Sequence, residues 1–538
     1  MCGIALLASH AGETHGLSWD ALMDVIGMRG PDACAQEEHR LEDKHVRIGA
    51  SVLGLCGSSV ALQPMHASAA PHLVFLWSGE IFSTLDGDFD REKNDGTWIF
   101  AQIVQRVAAG NVCSAIVQTL AGVEGPYAYI LLDLAAQCVY YGRDPLGRRS
   151  LLLHLSDVVC LASAVCMDTE DIVFEEVPCS TLWQLSVRGD NVPKPCPRDS
   201  PFATRLLLHE SLVQKPAQID APLDALRAVL EASISERVTH IRTADGQTLA
   251  SAHVAVLFSG GLDCTVLAAL ATQYINSSQP IDLINVAFEN PRAHAAACER
   301  TKDSTAAVYA ADRYAVPDRQ TARKSVAELR NIYPSRRWNL VEVNVSYATY
   351  LSHIQTIQRL LHPNDSVMDL SIGAALLFAA RGAGFVDGVP YTTPARVLLS
   401  GLGADELLAG YARHRHAFER RGDDALRAEL QLDLDRLPTR NLGRDDRIIG
   451  AQGREARYPY LARRVLALLC ALPISTKADF RTHAKGLGDK SLLRELALTL
   501  GMHHAAYLPK RAIQFGARSA KLDAQAARQK GNTKLALP

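Results

Sequence analysis

The sequence predicts two domains: a strand-rich α+β domain, followed by an α/β domain built on a parallel sheet. A length of 538 residues is too great for one ordinary hydrophobic core. Strand-like runs at short spacing fill residues 1–190, whereas strand-like and helical runs alternate over residues 223–538. Six prolines lie between positions 193 and 222, which predicts a linker over residues 191–222.

The composition limits the classes of function. Hydrophobic residues make up 48% of the chain and charged residues 21%, which is typical of a soluble globular protein. The net charge of −2 predicts no general attraction to nucleic acid or to an anionic membrane. No apolar run approaches transmembrane length, and the N-terminus does not resemble a signal peptide. The 12 cysteines contain no Cys-x-x-Cys pair, so we expect reduced thiols and a cytoplasmic protein.

Cys2 is the first candidate catalytic residue. Removal of Met1 would leave Cys2 with a free α-amine, whose pKa lies near neutrality, beside its own thiol. One residue would then supply both the nucleophile and the proton acceptor. Taken alone, a cysteine after the initiator methionine is more often an ordinary cysteine.

Several further segments of the first half carry a resemblance. A helix is predicted at about residues 18–28, and the predicted strands are Tyr127–Asp133, Cys138–Tyr141, Leu151–Leu155 and Val158–Ala162. The motifs are Arg29-Gly30-Pro31-Asp32, Trp77-Ser78-Gly79-Glu80-Ile81-Phe82 and Gly142–Arg149. Together with Cys2 they resemble the class II glutamine amidotransferase domain, an αββα sandwich with an N-terminal nucleophile. The resemblance covers residues 1–190. It implies that Cys2 attacks glutamine and releases ammonia, with the glutamine held by Ser78, Gly79, Glu80 and Asp95.

Two positions depart from that family's pattern. The family places an Asn-Gly pair in its oxyanion pocket, and this chain has Ser78-Gly79, so one amide donor is absent. Loss of such a donor lowers rates by about 10²–10³. Val52 stands where the family has an arginine that binds the glutamine carboxylate, whereas Asp95 is kept. We therefore expect weak or absent glutaminase activity.

The second half opens with an apolar run, Val254–Phe258, that ends at Ser259-Gly260-Gly261 and leads into a helical pattern. Glycines let the backbone approach a ligand closely, and a helix N-terminus favours phosphate. Ser259 offers a hydroxyl, and Asp263 can hold Mg²⁺. The plainer interpretation is an ordinary turn between a strand and a helix.

A second glycine-rich turn follows a later predicted strand. Further strands are predicted at Ile281–Phe288, Leu340–Val345 and Ala395–Ser400, and the last leads into Gly401 and Asp405. Strands that alternate with helices predict a parallel sheet, and ligands bind at the carboxyl ends of its strands. We therefore expect both turns to lie at one site, with Asp405 as a second ligand for Mg²⁺.

The first turn resembles the pyrophosphate-binding loop of the ATP pyrophosphatase superfamily, and the second resembles that of asparagine synthetases. Segments Pro334–Asn339, Asn441–Arg447 and Leu508–Gly516 extend this likeness to the asparagine synthetase domain-containing protein 1 family over nearly the whole chain. The resemblance implies an ATP-dependent carbon–nitrogen ligase with ATP and Mg²⁺ as cofactors, and it allows a homodimer. Its substrates would be ATP, glutamine and a carboxylate such as aspartate. The implied ATP-binding residues are Leu257, Ser259, Gly260, Gly261, Asp263, Phe288, Ser400, Gly401 and Lys510.

The substrate pocket departs further from the asparagine synthetases. Leu402 and Ala404 replace a Glu and a Ser, and no Glu lies near residues 362–365. The position of their catalytic lysine aligns with Ala512, which leaves Lys510 or Arg511 to reach the same phosphate. Two alternatives therefore stay open: an enzyme that adenylates another carboxylate, with weak or no glutaminase, and a catalytically degenerate scaffold or binding protein.

Overall fold

The structure is a computed structural model that describes residues 2–10, 16–41, 44–87, 89–165, 172–187, 191–198, 219–244, 246–248, 250–289, 313–482, 486–520, 522 and 531–535. The strands of the first half are β1 Gly3–His10, β2 Ala33–Leu41, β3 Lys44–Val52, β4 Met65–His66, β5 Leu73–Gly79, β6 Ser83–Thr84, β7 Val123–Glu124, β8 Tyr127–Asp133, β9 Cys138–Arg143, β10 Leu152–Leu155, β11 Val159–Ala162, β12 Glu175–Glu176, β13 Leu182–Ser186 and β14 Lys194–Cys196. The helices are α1 Trp19–Arg29, α2 Asp95–Val107 and α3 Val112–Ala121. Two six-stranded antiparallel sheets result, in the orders β12-β10-β11-β1-β3-β2 and β14-β13-β9-β8-β5-β4, and β6 pairs with β7.

The two six-stranded sheets pack face to face. Successive side chains of β1 point to opposite faces, so Ile4 and Leu6 lie in the core shared by both sheets. Ala5 and Leu7 lie in the core under α1. Helices α2 and α3 cover the outer face of the second sheet through residues such as Ile99. The layers therefore follow the order helix, sheet, sheet, helix, and both faces of each sheet are covered.

The second sheet extends past residue 190. β14 pairs with β13, placing Cys196 opposite Leu182, so the start of the predicted linker belongs to the sheet. β14 is an edge strand, which can accommodate Pro195 because its outer side pairs with no further strand. Residues 199–218 of the predicted linker lie outside the described residues.

A seven-stranded sheet organises the second half. Its strands are β15 Val254–Leu257, β16 Ile281–Phe288, β17 Trp338–Val345, β18 Ala383–Val386, β19 Val389–Thr392, β20 Val397–Leu399 and β21 Glu455–Arg457, in the order β19-β18-β17-β16-β15-β20-β21. Five neighbouring strands run parallel, in the order β17-β16-β15-β20-β21. β18 and β19 form an antiparallel hairpin at one edge.

Helices surround this sheet in one hydrophobic core. They are α4 Pro222–Val238, α5 Leu262–Ala271, α6 Pro317–Ile332, α7 Tyr347–Leu361, α8 Val367–Arg381, α9 Ala404–Leu407, α10 Ala412–Leu437, α11 Gly443–Gly450, α12 Arg463–Ala471, α13 Ile474–Lys477, α14 Ser491–Thr499, α15 His503–Ala506 and α16 Ile513–Gly516. A π-helical turn, Pro438–Leu442, joins α10 to α11, and a 3₁₀ turn spans Pro459–Leu461. Across the part of the chain that the structure describes, every helix is too short or too polar to cross a bilayer.

Buried ion pairs join the two halves. Arg29 Nη2 lies 2.6 Å from Asp446 Oδ2, and Arg149 Nη2 lies 2.7 Å from Glu455 Oε2. Both guanidinium groups are fully buried. Removing one partner of a buried pair typically destabilises a protein by about 3–5 kcal/mol. These contacts therefore hold the first two sheets against the parallel sheet.

Candidate active site

The first glycine-rich turn connects β15 to α5. Gly260 has φ +79°, and a Cβ there would lie 2.5 Å from the backbone of Ala322 in α6, so the position requires glycine. Ser325 Oγ donates a hydrogen bond to the Gly260 carbonyl at 2.7 Å. The Gly261 N–H donates to Ser259 Oγ at 3.3 Å. These contacts fix the turn against α6. The first turn of α5, with Asp263, lines the cavity described next.

A cavity of about 380 Å³ lies at the carboxyl ends of the parallel strands, as expected for a ligand site in such a sheet. Both glycine-rich turns form part of its wall. The predicted site residues that line it are Leu257, Ser259, Gly261, Asp263, Ser400, Gly401, Asp405 and Lys510. Gly260 and Phe288 do not line it. The Phe288 ring is fully buried and packs edge-on against Phe378, and Asn285 and Val286 supply the wall at that strand.

Lys490 brings together the two carboxylates predicted to hold Mg²⁺. Its Nζ lies 2.7 Å from both carboxylate oxygens of Asp263 and 2.6 Å from Asp405 Oδ1. Lys510 Nζ contacts the other carboxylate oxygen of Asp405. Burial opposes ionisation of Asp405, but the two ammonium groups outweigh it and hold its pKa well below the usual range. The Asp405 carboxylate is therefore ionised at neutral pH.

These carboxylates suit a hard divalent cation. Mg²⁺ prefers oxygen ligands and is commonly held by one or two carboxylates together with substrate phosphates. Asp405 Oδ1 is buried and makes no hydrogen bond of good geometry, although the Lys490 ammonium is close. Asp263 and Asp405 could therefore hold Mg²⁺ beside the glycine-rich turn.

The second glycine-rich turn is held by Glu406. Its carboxylate accepts hydrogen bonds from the Gly403 N–H at 3.0 Å and from the Tyr411 hydroxyl at 2.6 Å. Burial and then the neighbouring Asp405 raise the pKa of Glu406. Leu402, at the position where the resemblance to asparagine synthetases implies a Glu, lines the cavity with an apolar side chain.

Two residues of this region were not singled out from the sequence. The contact of Lys490 with Asp263 spans 227 positions, which no local pattern can indicate. Asp318, at the start of α6, lines the cavity 3.6 Å from Arg511 Nη1. Burial raises the pKa of Asp318 to about 7, which makes it a carboxyl that changes charge near neutral pH.

Cys2 lies in a closed environment at the start of β1. The Ser78 hydroxyl donates to the Cys2 carbonyl at 2.6 Å, and Arg29 Nε donates to the same carbonyl at 3.4 Å. Burial raises the pKa of the Cys2 thiol. Ser78 has one hydroxyl hydrogen, and in this arrangement it is directed at the Cys2 carbonyl rather than at an oxyanion. Val52 is buried in β3 opposite Ala33.

The remaining predicted glutamine-binding residues also contact protein groups. Asp95 accepts hydrogen bonds from Cys56 Sγ at 3.1 Å and from Trp77 Nε1 at 3.2 Å. Glu80 Oε2 lies 3.2 Å from Arg457 Nη2, which comes from β21 in the second half. Burial outweighs this cation and raises the pKa of Glu80 to about 8. The site around Cys2 is therefore closed on itself and sealed by the second half.

Comparison with known proteins places the chain in a family. The asparagine synthase family model matches residues 241–361 and 418–530. Asparagine synthetase domain-containing protein 1 of Bos taurus is 33% identical, over 97% of this chain and 96% of its own length. The chain belongs to the asparagine synthetase domain-containing protein 1 family.

Two more distant proteins complete the comparison. The glutamine-hydrolyzing asparagine synthetase of Bos taurus is 23% identical over 92% of this chain and 80% of its own length. The solved structure of glutamine phosphoribosylpyrophosphate amidotransferase from B. subtilis, complexed with ADP and GMP, covers 64% of this chain and 81% of its own. It has a TM-score of 0.31 and 13% identity.

The two segments matched by the family model include the first glycine-rich turn, Lys490 and Lys510. The second turn, residues 400–411, falls between the matched segments. In this member of the family, the departures at Leu402 and Ala404 lie in that intervening stretch.

Proposed function

We propose that this chain is an ATP-dependent carbon–nitrogen ligase that adenylates a carboxylate and then replaces AMP with ammonia. The observation that best supports the proposal is the cavity of about 380 Å³ whose wall combines both glycine-rich turns with Asp263, Asp405 and Lys510. A turn held against α6, a helix N-terminus, the buried Lys490 and the Lys510 ammonium at the cavity wall suit a triphosphate. Membership of an asparagine synthetase-like family points to the same class of reaction.

In the proposed first step, an oxygen of the acceptor carboxylate bonds to the α-phosphorus of ATP. The bond from that phosphorus to its bridging oxygen breaks, and pyrophosphate leaves with the electron pair. The N–H groups of the turn at Ser259–Gly261 would donate hydrogen bonds to phosphate oxygens, and Lys510 would neutralise negative charge on the departing pyrophosphate. Mg²⁺ held by Asp263 and Asp405 would supply further neutralisation of the phosphate oxygens.

In the proposed second step, ammonia bonds to the acyl carbon and loses a proton, and AMP leaves with the electron pair of the broken carbon–oxygen bond. We propose that free ammonia serves better than glutamine as the nitrogen donor. The Ser78 hydroxyl is committed to the Cys2 carbonyl, and Val52 offers no charge for a glutamine carboxylate. Both contacts weaken the case for efficient glutamine hydrolysis at Cys2.

The test uses the purified full chain with Mg²⁺ and ATP, a panel of carboxylic acids that includes aspartate, and either ammonium or glutamine. Release of pyrophosphate and AMP with formation of an amide is expected, with faster turnover on ammonium. Absence of pyrophosphate with every acid and both donors would overturn the proposal and favour a scaffold. Turnover on an acid other than aspartate would keep the ligase and change only its acceptor.

A further inference from the structure

One wall of the cavity is rich in arginine. Three consecutive elements of the chain form this wall: α10, the π-helical turn and the start of α11. They place four guanidinium groups along the cavity, namely Arg413, Arg436, Arg440 and Arg444. The glycine-rich turns and Lys510, which suit a triphosphate, come from other parts of the chain.

Two of the four arginines are paired with carboxylates. Arg413 Nη2 lies 2.5 Å from Asp433 Oδ2. Arg444 donates to Asp369 Oδ1 at 2.8 Å through Nη1 and to Asp445 Oδ1 at 2.8 Å through Nη2. Their charge is therefore already neutralised within the wall.

Arg436 and Arg440 differ from that pair. Within the residues that the structure describes, neither makes an ion pair or a side-chain hydrogen bond with another side chain. A spacing of four residues across the end of α10 and the π-helical turn places them on one side of the wall. Both border the cavity, so two guanidinium groups are available to a ligand.

The carboxylates of the cavity show the opposite situation. Each of them contacts a cation or hydroxyl of the protein, in the pairs Asp263–Lys490, Asp405–Lys490, Asp318–Arg511, Glu406–Tyr411, Asp433–Arg413 and Asp445–Arg444. An amino-acid acceptor would bring an ammonium group, which binds best to an unpaired carboxylate. The described wall offers unpaired positive charge, whereas each of its carboxylates already has a protein partner, which for Glu406 is the Tyr411 hydroxyl and not a cation.

We propose that the acceptor is an acid with a second anionic group, carboxylate or phosphate, and without an ammonium group beside it. Arg436 and Arg440 bind the second anion while the other carboxylate is adenylated. A guanidinium group can bind either a carboxylate or a phosphate, because each presents two oxygens that accept a pair of parallel N–H hydrogen bonds. This inference rests on the proposed ligase function and narrows its substrate class.

The first test compares matched acids by pyrophosphate release with Mg²⁺, ATP and ammonium. Succinate has the skeleton of aspartate without the ammonium group, and 3-phosphonopropionate replaces one carboxylate by a phosphonate. One of these two is expected to exceed aspartate at least tenfold in kcat/KM, and the better of them identifies the second anion. A higher kcat/KM for aspartate than for both would overturn the inference while leaving the ligase intact.

The second test uses variants of the arginine wall. Arg436→Gln and Arg440→Gln are each expected to raise KM for the better diacid about tenfold, with a smaller change in kcat. Arg421→Gln is the matched control, because Arg421 is exposed on the same helix, α10, and does not line the cavity. Its KM is expected to change less than twofold. Equal KM values in all three variants would contradict a role for the wall.

A binding measurement separates the inference from the proposed reaction. Calorimetry with succinate or 3-phosphonopropionate, in the presence of Mg²⁺ and a non-hydrolysable ATP analogue, needs no turnover. Binding to the native chain but not to the Arg440→Gln chain, with no pyrophosphate from any acid, would keep the anion site and reject the ligase. Absence of binding by both acids would reject the anion site itself.

Discussion

The two candidate sites differ in where their polar groups are directed. Around Cys2 they contact the protein itself, as the hydrogen bonds from Ser78 to the Cys2 carbonyl and from Cys56 to Asp95 show. Around Ser259 they line a cavity of about 380 Å³. Redirecting a buried, paired group to a ligand forfeits an existing hydrogen bond, whereas Arg436 and Arg440 on the cavity wall have no side-chain partner among the described residues and need no such exchange. The contrast indicates that the second site is organised for binding and the first for packing.

The first site also takes part in joining the halves. Arg457, on β21, reaches Glu80 across the interface, and Arg149 reaches Glu455 from the other direction. Burial opposes ionisation of Glu455, but Arg149 and then Arg457 lower its pKa to about 2. A site that is sealed by cations of the neighbouring domain can be kept for stability alone. We therefore expect substitutions in the second site to affect ligand binding and rate, and substitutions in the first site to affect only stability.

The largest expected effect is on stability in the second site. Lys490→Met leaves Asp263 and Asp405 side by side without the ammonium that bridges them. An uncompensated buried charge destabilises a protein by about 3–5 kcal/mol. We expect that loss in urea unfolding of the variant, and we expect Mg²⁺ to restore more stability to the variant than it adds to the native chain.

Lys477→Met provides the matched control for that variant. Lys477 is buried too, but its Nζ donates to the Leu469 carbonyl at 2.7 Å and lies away from the cavity. No carboxylate is left unpaired, so the loss should be about 1 kcal/mol, the worth of one hydrogen bond. If both variants lost equal stability, or if Mg²⁺ helped them equally, the carboxylate pair would not be a cation site.

The next effect is on rate. Lys510→Met removes the ammonium that contacts Asp405 at the cavity wall. We expect ammonium-dependent pyrophosphate release to fall by about 10²–10³, as for other preorganised charges. The double variant Lys510→Met, Ala512→Lys returns a lysine to the position that asparagine synthetases use, and partial recovery of the rate is expected. A rate unchanged in Lys510→Met would show that Lys510 serves the structure only.

Much of the fold follows from local pattern. The strands predicted at Tyr127–Asp133 and Ile281–Phe288 have those bounds in the structure, because continuous apolar runs between turn signals identify buried strands well. The hairpin of β18 and β19 was missed, although Asp387-Gly388 between them, both with positive φ, is a strong turn signal. β14 was missed because three prolines nearby suggested a linker.

The candidate site could be predicted only as far as its motifs reach. Ser259 and Asp405 were found because a glycine-rich turn after a strand has a local signature. Lys490 and Asp318 carry no such signature. Distant parts of the chain bring Asp318 to the cavity wall and Lys490 against Asp263 and Asp405. The closure of the first site was equally hidden, because the partner of Glu80 is Arg457 of the other half. Sequence motifs therefore predict both candidate sites and a weakened first site, but they cannot indicate contacts such as Glu80–Arg457 and Asp263–Lys490 that join distant parts of the chain.

A smaller effect tests the shape of the turn in the second site. Gly260→Ala would force a φ of +79° on alanine and place its Cβ 2.5 Å from the backbone of Ala322. We expect destabilisation of about 3 kcal/mol, from left-handed strain and overpacking together. Gly261→Ala is the matched control, since its Cβ would meet only Ser259 Oγ at 3.3 Å. Thermal melts that place the two variants together would contradict a turn held against α6.

The smallest expected effect contrasts the two sites by pH. The pKa of Glu80 is about 8 in the folded chain, whereas in the unfolded chain it has its ordinary value of about 4.5. The folded chain therefore binds the proton more tightly, and low pH favours folding. That contribution is lost as pH rises from about 4.5 to 8. Glu80→Gln removes the loss, so the stability of the variant relative to the native chain should rise between pH 5 and 8, by at most about 1.4 kcal/mol per pH unit. Asp318→Asn should show the same gain, but complete by about pH 7, where the pKa of Asp318 lies. A difference between Glu80→Gln and the native chain that does not vary with pH would mean that Arg457 keeps Glu80 ionised throughout this range.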